Sequence, residues 1–395
     1  MDRRSFLGST AVAGIGLAAC SGKDDDNDGA AGTGAAGTAT ATDGSAATTA
    51  PAAVEVSGNA DLPEIEWEMP TSWPPNLDTI YGGAVVFAET VAALSGNRFR
   101  ITPRAGGEVV PPLEVLQNVQ TGAYPIGHTA SYYYTGLAEL TAFGTSLPFG
   151  LTARQQNAWL YEGGGLELLQ GMYAERFNAI QFPAGNTGCQ MGGWFNKEIN
   201  SVGDLSGLKM RIPGLGGRIM DRLGVAVQQI AGGEIYQALQ TGAIDAAEWV
   251  GPYDDLNLGF PEVAQFYYYP GWWEPGPTLE VQVSKSEWDQ LPEIYQEIVQ
   301  AAAFKANTIM MARYDKLNPE SLTEIEAIDG ITILPYPEDV LTAAREESLA
   351  LYDELAAADA DFSALLESWN AYRESSAKWF SLAEAAIINF AATEG

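Results

Sequence analysis

Two ten-residue segments in different halves of the chain are nearly the same. Residues 114–123 and residues 234–243 are identical at six of their ten positions, and both end in Thr-Gly-Ala. Each has the apolar spacing of a short helix that ends at its glycine, and each is followed by a short run typical of a strand. The repetition favours two similar α/β lobes that present strand ends to a common cleft, where open α/β sheets bind ligands. Chance reuse of a good helix C-terminus is the alternative.

The rest of the chain continues this alternation of strands and helices. Strands are predicted at 64–70, 99–102 and 331–334, and helices at 77–95, 113–120, 287–317 and, as two or three units, over 338–390. The order predicts an α/β fold with a largely parallel sheet covered by helices. In the long helix, Ile294, Ile298, Ala302 and Ile309 are predicted to share one face.

The balance of charges excludes one large class of partners. The chain has 20 lysines and arginines against 51 aspartates and glutamates, and its net charge is −31. Such a surface repels the phosphates of nucleic acids and the headgroups of anionic lipids. We therefore expect no nucleic-acid binding and no direct adsorption to an anionic membrane.

Groups that carry out catalysis are scarce. His128 is the only histidine, and Cys20 and Cys189 are the only cysteines, so a His-based metal cluster and a zinc cluster of cysteines are excluded. The glycine-rich stretches 163–165 and 214–217 do not fit the spacing of phosphate-binding loops. His128 is a candidate general base, although a lone histidine is more often a hydrogen-bonded structural residue.

The N-terminal region is predicted to direct export rather than to fold. Arg3 and Arg4 precede an apolar run that is too short to span a bilayer and suits the core of a signal peptide. The arginine pair resembles a twin-arginine export signal, and the run ends in Leu-Ala-Ala-Cys, which resembles the lipobox of a bacterial lipoprotein. We predict a signal over 1–20, acylation of Cys20 and a flexible low-complexity tether over 21–60. An ordinary signal peptide with a chance cysteine is the alternative.

Charged side chains stand in apolar stretches at three places. Arg211 lies in Lys-Met-Arg-Ile-Pro, Glu248 lies in Ala-Ala-Glu-Trp-Val, and Glu274 follows two tryptophans. The planar fork of an arginine matches a carboxylate, whereas buried carboxylates need a partner, a proton or a cation. Two carboxylates aimed at one cleft, aided by an amide such as Gln190, would hold a cation with oxygen ligands. A structural ion pair for Arg211 and a rim position for the glutamates are the alternatives.

Six segments, which span roughly residues 65–320, jointly resemble one family. The segments are 127–134, 147–150, 190–195, 209–214, 242–252 and 267–274. In them the chain resembles the extracytoplasmic solute receptors of tripartite ATP-independent periplasmic (TRAP) transporters, in the dicarboxylate-receptor superfamily, and especially the branch that binds α-keto acids such as pyruvate. The resemblance implies a two-lobed α/β fold like that of periplasmic binding proteins, with hinge strands, a long connecting helix and a helical C-terminus.

The same resemblance implies roles for individual residues, among which Arg211 would bind the carboxylate of the substrate. The residues expected at the substrate are Arg211, Gln190, Tyr133, Tyr134, Trp249, Trp273 and Glu274. The ligands expected for a cation, Na⁺ or Ca²⁺, are Gln190, Glu248, the Trp249 carbonyl and Glu274.

Together these features predict a receptor and not an enzyme. The solute-binding region is expected over 61–395, with lobe I mainly at 64–185, lobe II mainly at 186–290 and the remaining segments crossing between them. The receptor would be lipid-anchored on the extracytoplasmic side, and it would bind a small 2-oxo or 2-hydroxy monocarboxylate with the cation and deliver it to a membrane permease. A homodimer is one assembly that the C-terminal helices allow.

Two rival functions remain at this point. One is a metal-free receptor of the same family for a dicarboxylate, a sulfonate or a sugar acid. The other is a secreted metal-dependent enzyme that acts on keto acids, against which the scarcity of histidine and the lack of an activated nucleophile both argue.

Overall fold

The computed structural model describes residues 62–392. The export signal predicted over 1–20, the acylated Cys20 and the tether predicted over 21–60 lie outside the described residues.

The first part of the chain forms a sheet with helices against it, which we call lobe I. Its elements are β1 (Ile65–Pro70), α1 (Ile80–Leu94), β2 (Phe99–Arg104), α2 (Val115–Gln120), β3 (Ile126–Thr129), α3 (Ala142–Thr145), α4 (Ala153–Tyr161), α5 (Gly165–Phe177) and β4 (Ala179–Asn186). β1 and β2 pair in parallel with Ile65 opposite Phe99. Successive side chains of a strand point to opposite faces of the sheet, so the next pair, Glu66 and Arg100, forms its ion pair on the face opposite to Ile65 and Phe99. A parallel bridge from Thr71 to His128 continues the sheet to β3.

The second part forms another sheet, and we call this region lobe II. Its elements are β5 (Trp194–Phe195), β6 (Lys209–Arg211), α6 (Gly214–Arg222), β7 (Ala226–Gln228), α7 (Ile235–Gln240), β8 (Ala246–Ala247), α8 (Pro252–Asn257) and β9 (Phe266–Tyr269). The strands lie in the order β9-β5-β8-β6-β7. The repeated segments contain α2 and α7, and each of these helices is followed by a strand, β3 in lobe I and β8 in lobe II.

The last part of the chain serves both lobes. Its elements are β10 (Thr278–Ser284), α9 (Lys285–Trp288), α10 (Glu293–Glu326), β11 (Thr332–Pro335), α11 (Glu338–Ala358), α12 (Ala360–Phe380) and α13 (Ala386–Ala392). β10 lies between β3 and β4 in lobe I, and β11 lies beside β9 in lobe II. The long helix α10 packs on α1 and β4, and further along on α8 of lobe II. The predicted two-lobed architecture with a long connecting helix and a helical C-terminus is confirmed.

The prediction of a largely parallel sheet is wrong. β10 is antiparallel to both β3 and β4, and β5 is antiparallel to both β8 and β9. The chain leaves lobe I after β4 and returns to it along β10, so the strand enters the sheet in the opposite direction. Local sequence patterns carry no signal for such a return.

The long helix begins later than predicted and buries a different face. It starts at Glu293, because the preceding Pro292 separates it from α9, and it continues to Glu326. Ile298 and Ala302 are buried as predicted, but Ile294 is 46% exposed. Its neighbour Tyr295 is fully buried instead.

Candidate functional site

The charged residues of lobe II come from neighbouring strand ends. β6 and β8 run parallel, with Arg211 opposite Ala247. Arg211 is the last residue of β6, and Glu248 directly follows β8, so the sheet brings the two side chains together. The Glu248 N–H donates to the Arg211 carbonyl at 3.2 Å. This edge is the carboxyl end of the parallel strands, where ligands bind in open α/β sheets.

Arg211 is buried and held by several partners. Its Nε donates to the Ile230 carbonyl at 3.0 Å, and Nη1 donates to the Glu248 carbonyl at 3.0 Å and to the Glu248 carboxylate. The guanidinium carbon lies 5.3 Å from the centre of the Trp249 ring. Burial is the largest single effect on the pKa of Arg211 and lowers it, but the Glu248 carboxylate and the hydroxyls of Tyr133 and Tyr132 together raise it, so the net pKa lies above the ordinary value. Nη2 has no acceptor among the residues that the structure describes, which leaves one arm of the fork for a carboxylate.

Glu248 and Glu274 bring two buried carboxylates to the same place. Burial raises the pKa of Glu248 to about 7, although Arg211 acts to lower it. Burial and the charge of Glu248 raise the pKa of Glu274 well above its ordinary value, although the Tyr132 hydroxyl acts to lower it. Oε2 of each glutamate has no donor within residues 62–392. Arg211 balances the charge of one carboxylate, so a second positive partner would be needed for both to ionise.

Gln190 lies on a loop that pairs with the loop of Glu274. The Gln190 N–H donates to the Glu274 carbonyl at 3.1 Å, and the Gly271 N–H donates to the Gln190 carbonyl at 2.9 Å. A Cβ at Gly271 would come within 2.7 Å of the Gln190 carbonyl oxygen, so this close approach requires glycine. The Gln190 Nε2 donates to the Thr187 hydroxyl at 3.1 Å, whereas Oε1 has no donor in the described part of the chain.

Aromatic side chains of both lobes enclose the space beside these groups. The cavity is lined by Trp73, Ile80, Tyr132, Tyr133, Thr187, Gln190, Trp249, Val250, Pro277 and Leu279, and its volume is about 10 Å³. That volume holds about one water molecule, so the two lobes are closed on each other. Across the cleft, Gln229 Nε2 donates to the Tyr133 carbonyl at 3.1 Å.

The tyrosine run is placed differently from the expectation. Tyr133 lines the cavity, but Tyr134 does not, because its hydroxyl is hydrogen-bonded to the Thr129 hydroxyl at 2.8 Å on the inner side of lobe I. Tyr132, which sequence reasoning left out, lines the cavity instead. The three residues share one 3₁₀ turn, Ser131–Tyr134, in which successive side chains point about a third of a turn apart. No pattern in Tyr-Tyr-Tyr reveals that orientation.

Trp273 and His128 complete the set of candidates. The indole of Trp273 lies beside Glu248 and acts to lower the pKa of that carboxyl. His128 Nδ1 accepts a hydrogen bond from the Trp73 indole at 2.7 Å, and Nε2 therefore carries the proton and donates to the Ala184 carbonyl at 3.2 Å. Burial lowers the pKa of His128 to about 4. It is a neutral structural residue with both nitrogens occupied, and not a general base.

Five buried polar atoms that have no partner within residues 62–392 define what the site can do. Gln190 Oε1, Glu248 Oε2 and Glu274 Oε2 are acceptors, and Arg211 Nη2 and Trp273 Nε1 are donors. Unpaired oxygen acceptors suit a hard cation, and an unpaired guanidinium donor suits an anion. Within residues 62–392 no three Asp, Glu, His or Cys side chains are grouped as a metal cluster, so a cation here would depend on amide or carbonyl oxygens beside the two carboxylates.

The family of the chain follows from comparison with known proteins. The profile of bacterial extracellular solute-binding proteins, family 7, matches residues 70–359. The chain belongs to this family. It is a solute receptor of the TRAP type and not an enzyme, as the sequence predicted. No helix within residues 62–392 has both the length and the apolar character needed to cross a bilayer.

Several relatives are similar over most of their length. The monocarboxylate 2-oxoacid-binding periplasmic protein of Nostoc sp. is 54% identical over 85% of this chain and 92% of its own. A TRAP solute-binding protein of Bordetella bronchiseptica, with calcium and picolinate in its site, is 42% identical with a TM-score of 0.82, covering 84% of this chain and 98% of its own. One from Pseudoalteromonas atlantica, with sodium and pyruvate, is 38% identical with a TM-score of 0.79, covering 82% and 99%.

Proposed function

We propose that this receptor binds a small 2-oxo or 2-hydroxy monocarboxylate together with Na⁺ or Ca²⁺ and delivers it to a membrane permease. The observation that carries the proposal is the set of five buried polar atoms that lack partners in the described part of the chain, three acceptors and two donors, at Arg211 and Glu248 and on the loops of Gln190 and Glu274. An anion alone would leave the three acceptors unpaired, and a cation alone would leave Arg211 Nη2 and Trp273 Nε1 unpaired. The pairing of ion and acid in the relatives from Bordetella and Pseudoalteromonas supports the same combination.

The residues present fit a hard cation. Gln190, Glu248 and Glu274, with the Trp249 carbonyl, would hold it through oxygen atoms, which Na⁺ and Ca²⁺ prefer. A cation bound there would supply the positive charge that lets both glutamates ionise. Without it, burial and the charge of Glu248 raise the pKa of Glu274 well above its ordinary value, which disfavours the ionised form.

The remaining side chains would recognise the acid. Arg211 offers Nη2 to the carboxylate of the solute, and its other nitrogens are fixed by the Ile230 carbonyl and by Glu248. Tyr133 and Trp249 enclose the carbon end of the solute, with Trp273 beside Glu248. The tight aromatic enclosure favours a short acid with a small or flat side chain.

Calorimetry on ligand-free protein tests the proposal. Pyruvate should bind in NaCl or CaCl₂, and binding should be lost in choline chloride with a chelator at the same ionic strength. Native mass spectrometry of protein purified without added ligand should find one small organic acid and one cation. A dicarboxylate, a sulfonate or a sugar acid that binds equally well after chelation would support the metal-free alternative, and turnover of the bound acid would support the enzyme.

The proposed location is the extracytoplasmic face of a membrane, after twin-arginine export, with a lipid on Cys20. The Leu-Ala-Ala-Cys ending and the Arg3-Arg4 pair support this proposal. Replacing Cys20 with alanine should move the protein from the membrane to the soluble fraction. Equal membrane association of the variant and the wild type would contradict acylation as the anchor.

A homodimer through the C-terminal helices is the assembly we propose. Large apolar side chains on α12 and in the segment that follows it are exposed: Trp379 (62%), Leu382 (67%), Ile387 (61%) and Ile388 (64%). An exposed apolar stripe of this kind is typical of an interface. Light scattering should find a dimer, and the Ile387→Glu, Ile388→Glu variant should be a monomer.

A further inference from the structure

Two adjacent buried aspartates follow the cleft residues without lining the cleft. Asp254 and Asp255 lie in α8, a few residues after Glu248 and Trp249, and both are at most 1% exposed. Like Glu248 and Glu274, they do not line the residual cavity, but they differ from those two residues in their hydrogen bonds. Every oxygen of both carboxylates accepts at least one hydrogen bond. The donors to Asp254 come from both lobes and from α10, whereas the donors to Asp255 come from lobe II and the segment that leads into α8.

Asp254 accepts hydrogen bonds from three separate parts of the molecule. The Thr79 hydroxyl, just before α1 of lobe I, donates to Oδ1 at 2.5 Å. The Tyr314 hydroxyl, on the long helix α10, donates to Oδ2 at 2.7 Å. The Trp249 indole, in the cleft of lobe II, donates to Oδ2 at 3.3 Å. One carboxylate therefore connects lobe I, the connecting helix and the binding cleft.

The contact with Trp249 leads directly to the candidate site. The Trp249 ring lines the cavity and lies 5.3 Å from the guanidinium carbon of Arg211. A Cβ at Gly232 would come within 2.3 Å of the ring, so the indole is tightly packed on that side. The hydrogen bond to Asp254 fixes the other end of the ring system and, through it, the surroundings of Arg211.

The contact with Thr79 crosses between the lobes. Thr79 precedes the first residue of α1, where a threonine hydroxyl commonly caps the helix, but it makes no such cap and donates to Asp254 instead. Nearby, the Tyr253 hydroxyl donates to Asp78 Oδ1 at 2.8 Å, and the Tyr253 N–H donates to Asn318 Oδ1 of α10 at 3.1 Å. Separation of the lobes would break the hydrogen bond from Thr79 to Asp254 Oδ1, and the loss of a donor to a carboxylate is costly wherever water does not replace it.

Asp255, in contrast to Asp254, accepts its hydrogen bonds from one side of the cleft. Its donors are the Trp194 indole at 3.1 Å, the Tyr267 hydroxyl at 2.7 Å and the Val250 N–H at 3.3 Å. All three belong to lobe II or to the segment that leads into α8. Separation of the lobes leaves them intact, so Asp255 is a matched control for its neighbour.

We propose that Asp254 is a positioning residue that couples occupancy of the cleft to closure of the two lobes. It holds Trp249 against the arginine on one side, and it holds Thr79 of lobe I on the other, and the two contacts coexist in the closed form. This inference rests on the proposed function, because it concerns the affinity of the same cleft.

The test compares Asp254→Asn with Asp255→Asn, using pyruvate with NaCl or CaCl₂ as the probe. Loss of a hydrogen bond to a charged group corresponds to about a tenfold loss of affinity or more. Asp254→Asn should show that loss mainly as faster dissociation in stopped-flow measurements, since closure retains the solute. Asp255→Asn should melt at a lower temperature while its affinity stays within about twofold of wild type.

Variants of Thr79 keep the test decisive if Asp254→Asn folds poorly. Thr79→Val removes the hydroxyl at nearly constant volume and should also speed dissociation, whereas Thr79→Ser should restore wild-type behaviour. In a double-mutant cycle the effects of Thr79→Val and Asp254→Asn should be less than additive. Wild-type dissociation rates in Thr79→Val, or fully additive effects, would overturn the coupling.

Failure of the proposed function gives a different result. If the wild-type protein binds no pyruvate with either cation, the proposed ligand is wrong. The role of the contact between Thr79 and Asp254 must then be tested in the absence of ligand. Small-angle scattering of the ligand-free proteins then decides. A larger radius of gyration in Thr79→Val than in Asp255→Asn supports coupling, and equal radii overturn it.

Discussion

Two pairs of buried carboxylates lie close together in this receptor and differ in one respect. Glu248 and Asp255 both have a pKa that burial raises to about 7. Both oxygens of Asp255 accept protein donors, whereas Oε2 of Glu248 has none in the described part of the chain. Glu274 resembles Glu248, and Asp254 resembles Asp255. A perturbed pKa is common to both pairs, so the unsatisfied oxygens, and not the pKa, mark Glu248 and Glu274 as the candidate binding groups.

A polar cluster inside lobe I adds a useful contrast. Within the described residues, Gln181 on β4 has an unpaired donor and an unpaired acceptor, Gln282 on β10 has an unpaired acceptor, and Tyr173 on α5 has an unpaired hydroxyl. Donors and acceptors balance there, so no ion is called for. In the cleft, the unpaired acceptors include one oxygen from each of two carboxylates, and Arg211 supplies a single positive charge beside them, so a cation would balance the second carboxylate.

The largest effect is expected from Arg211→Lys. The ammonium keeps the charge but loses the fork that bonds the Ile230 carbonyl and Glu248 and that is proposed to bind the solute. Loss of a buried charge-assisted pair costs about 2–5 kcal/mol, or at least about thirtyfold in affinity. Calorimetry with pyruvate checks this, with Arg100→Lys on the exposed face of β2 as the control. Affinity within about twofold of wild type would remove Arg211 from the site.

Glu274→Gln should have the next largest effect, because the amide keeps the shape but weakens cation binding. If ion and solute share the site, their binding is positively coupled, typically by about 1–3 kcal/mol, or roughly 5–150-fold in affinity. The variant should bind pyruvate more weakly and should no longer respond to the exchange of Na⁺ for choline or to chelation. Glu287→Gln, on the short helix α9, is the control. A variant that keeps the full response to the ion would contradict the role of Glu274.

The charged residues of the candidate site could be identified from the sequence, but their arrangement in space could not. Arg211, Glu248 and Glu274 were identifiable because a charge in an apolar stretch is costly unless it has a partner. Their proximity depends on β6 lying beside β8, a pairing of distant segments that no local pattern encodes. Asp254 and Asp255 follow a proline at the start of a helix, where acidic residues are usually exposed, so only tertiary packing reveals that they are buried.

Asp255→Asn should reduce stability and leave binding nearly unchanged. The amide has one acceptor oxygen, which can serve the Trp194 indole and the Tyr267 hydroxyl or the Val250 N–H but not all three, and a disturbed buried hydrogen-bond network costs about 1–3 kcal/mol. Urea unfolding measures the loss, and calorimetry with pyruvate measures the affinity. A large drop in affinity at unchanged stability would contradict the distinction between the two carboxylate pairs.

The smallest effect concerns the dependence of stability on pH. Glu280 is buried on β10 beside Gln282, away from the cleft, and burial raises its pKa to about 7. In the unfolded chain its pKa returns to about 4.3, so between these two values the native state binds more protons than the unfolded state. By linkage, the contribution of this carboxyl to the free energy of unfolding is complete below about pH 4.3 and is lost as the pH rises towards 7, by at most about 1.4 kcal/mol per pH unit.

Glu280→Gln replaces the carboxyl with an amide of the same shape that does not titrate. The free energy of unfolding of the variant should therefore fall less steeply than that of wild type between pH 5 and pH 7. Both proteins should be unfolded in choline chloride with a chelator, which keeps cations away from Glu248 and Glu274. These two carboxyls then titrate in the same way in the wild type and in the variant, so they do not contribute to the difference. Parallel curves for the two proteins would mean that Glu280 is ionised in the native state, and burial would then not be what sets its pKa.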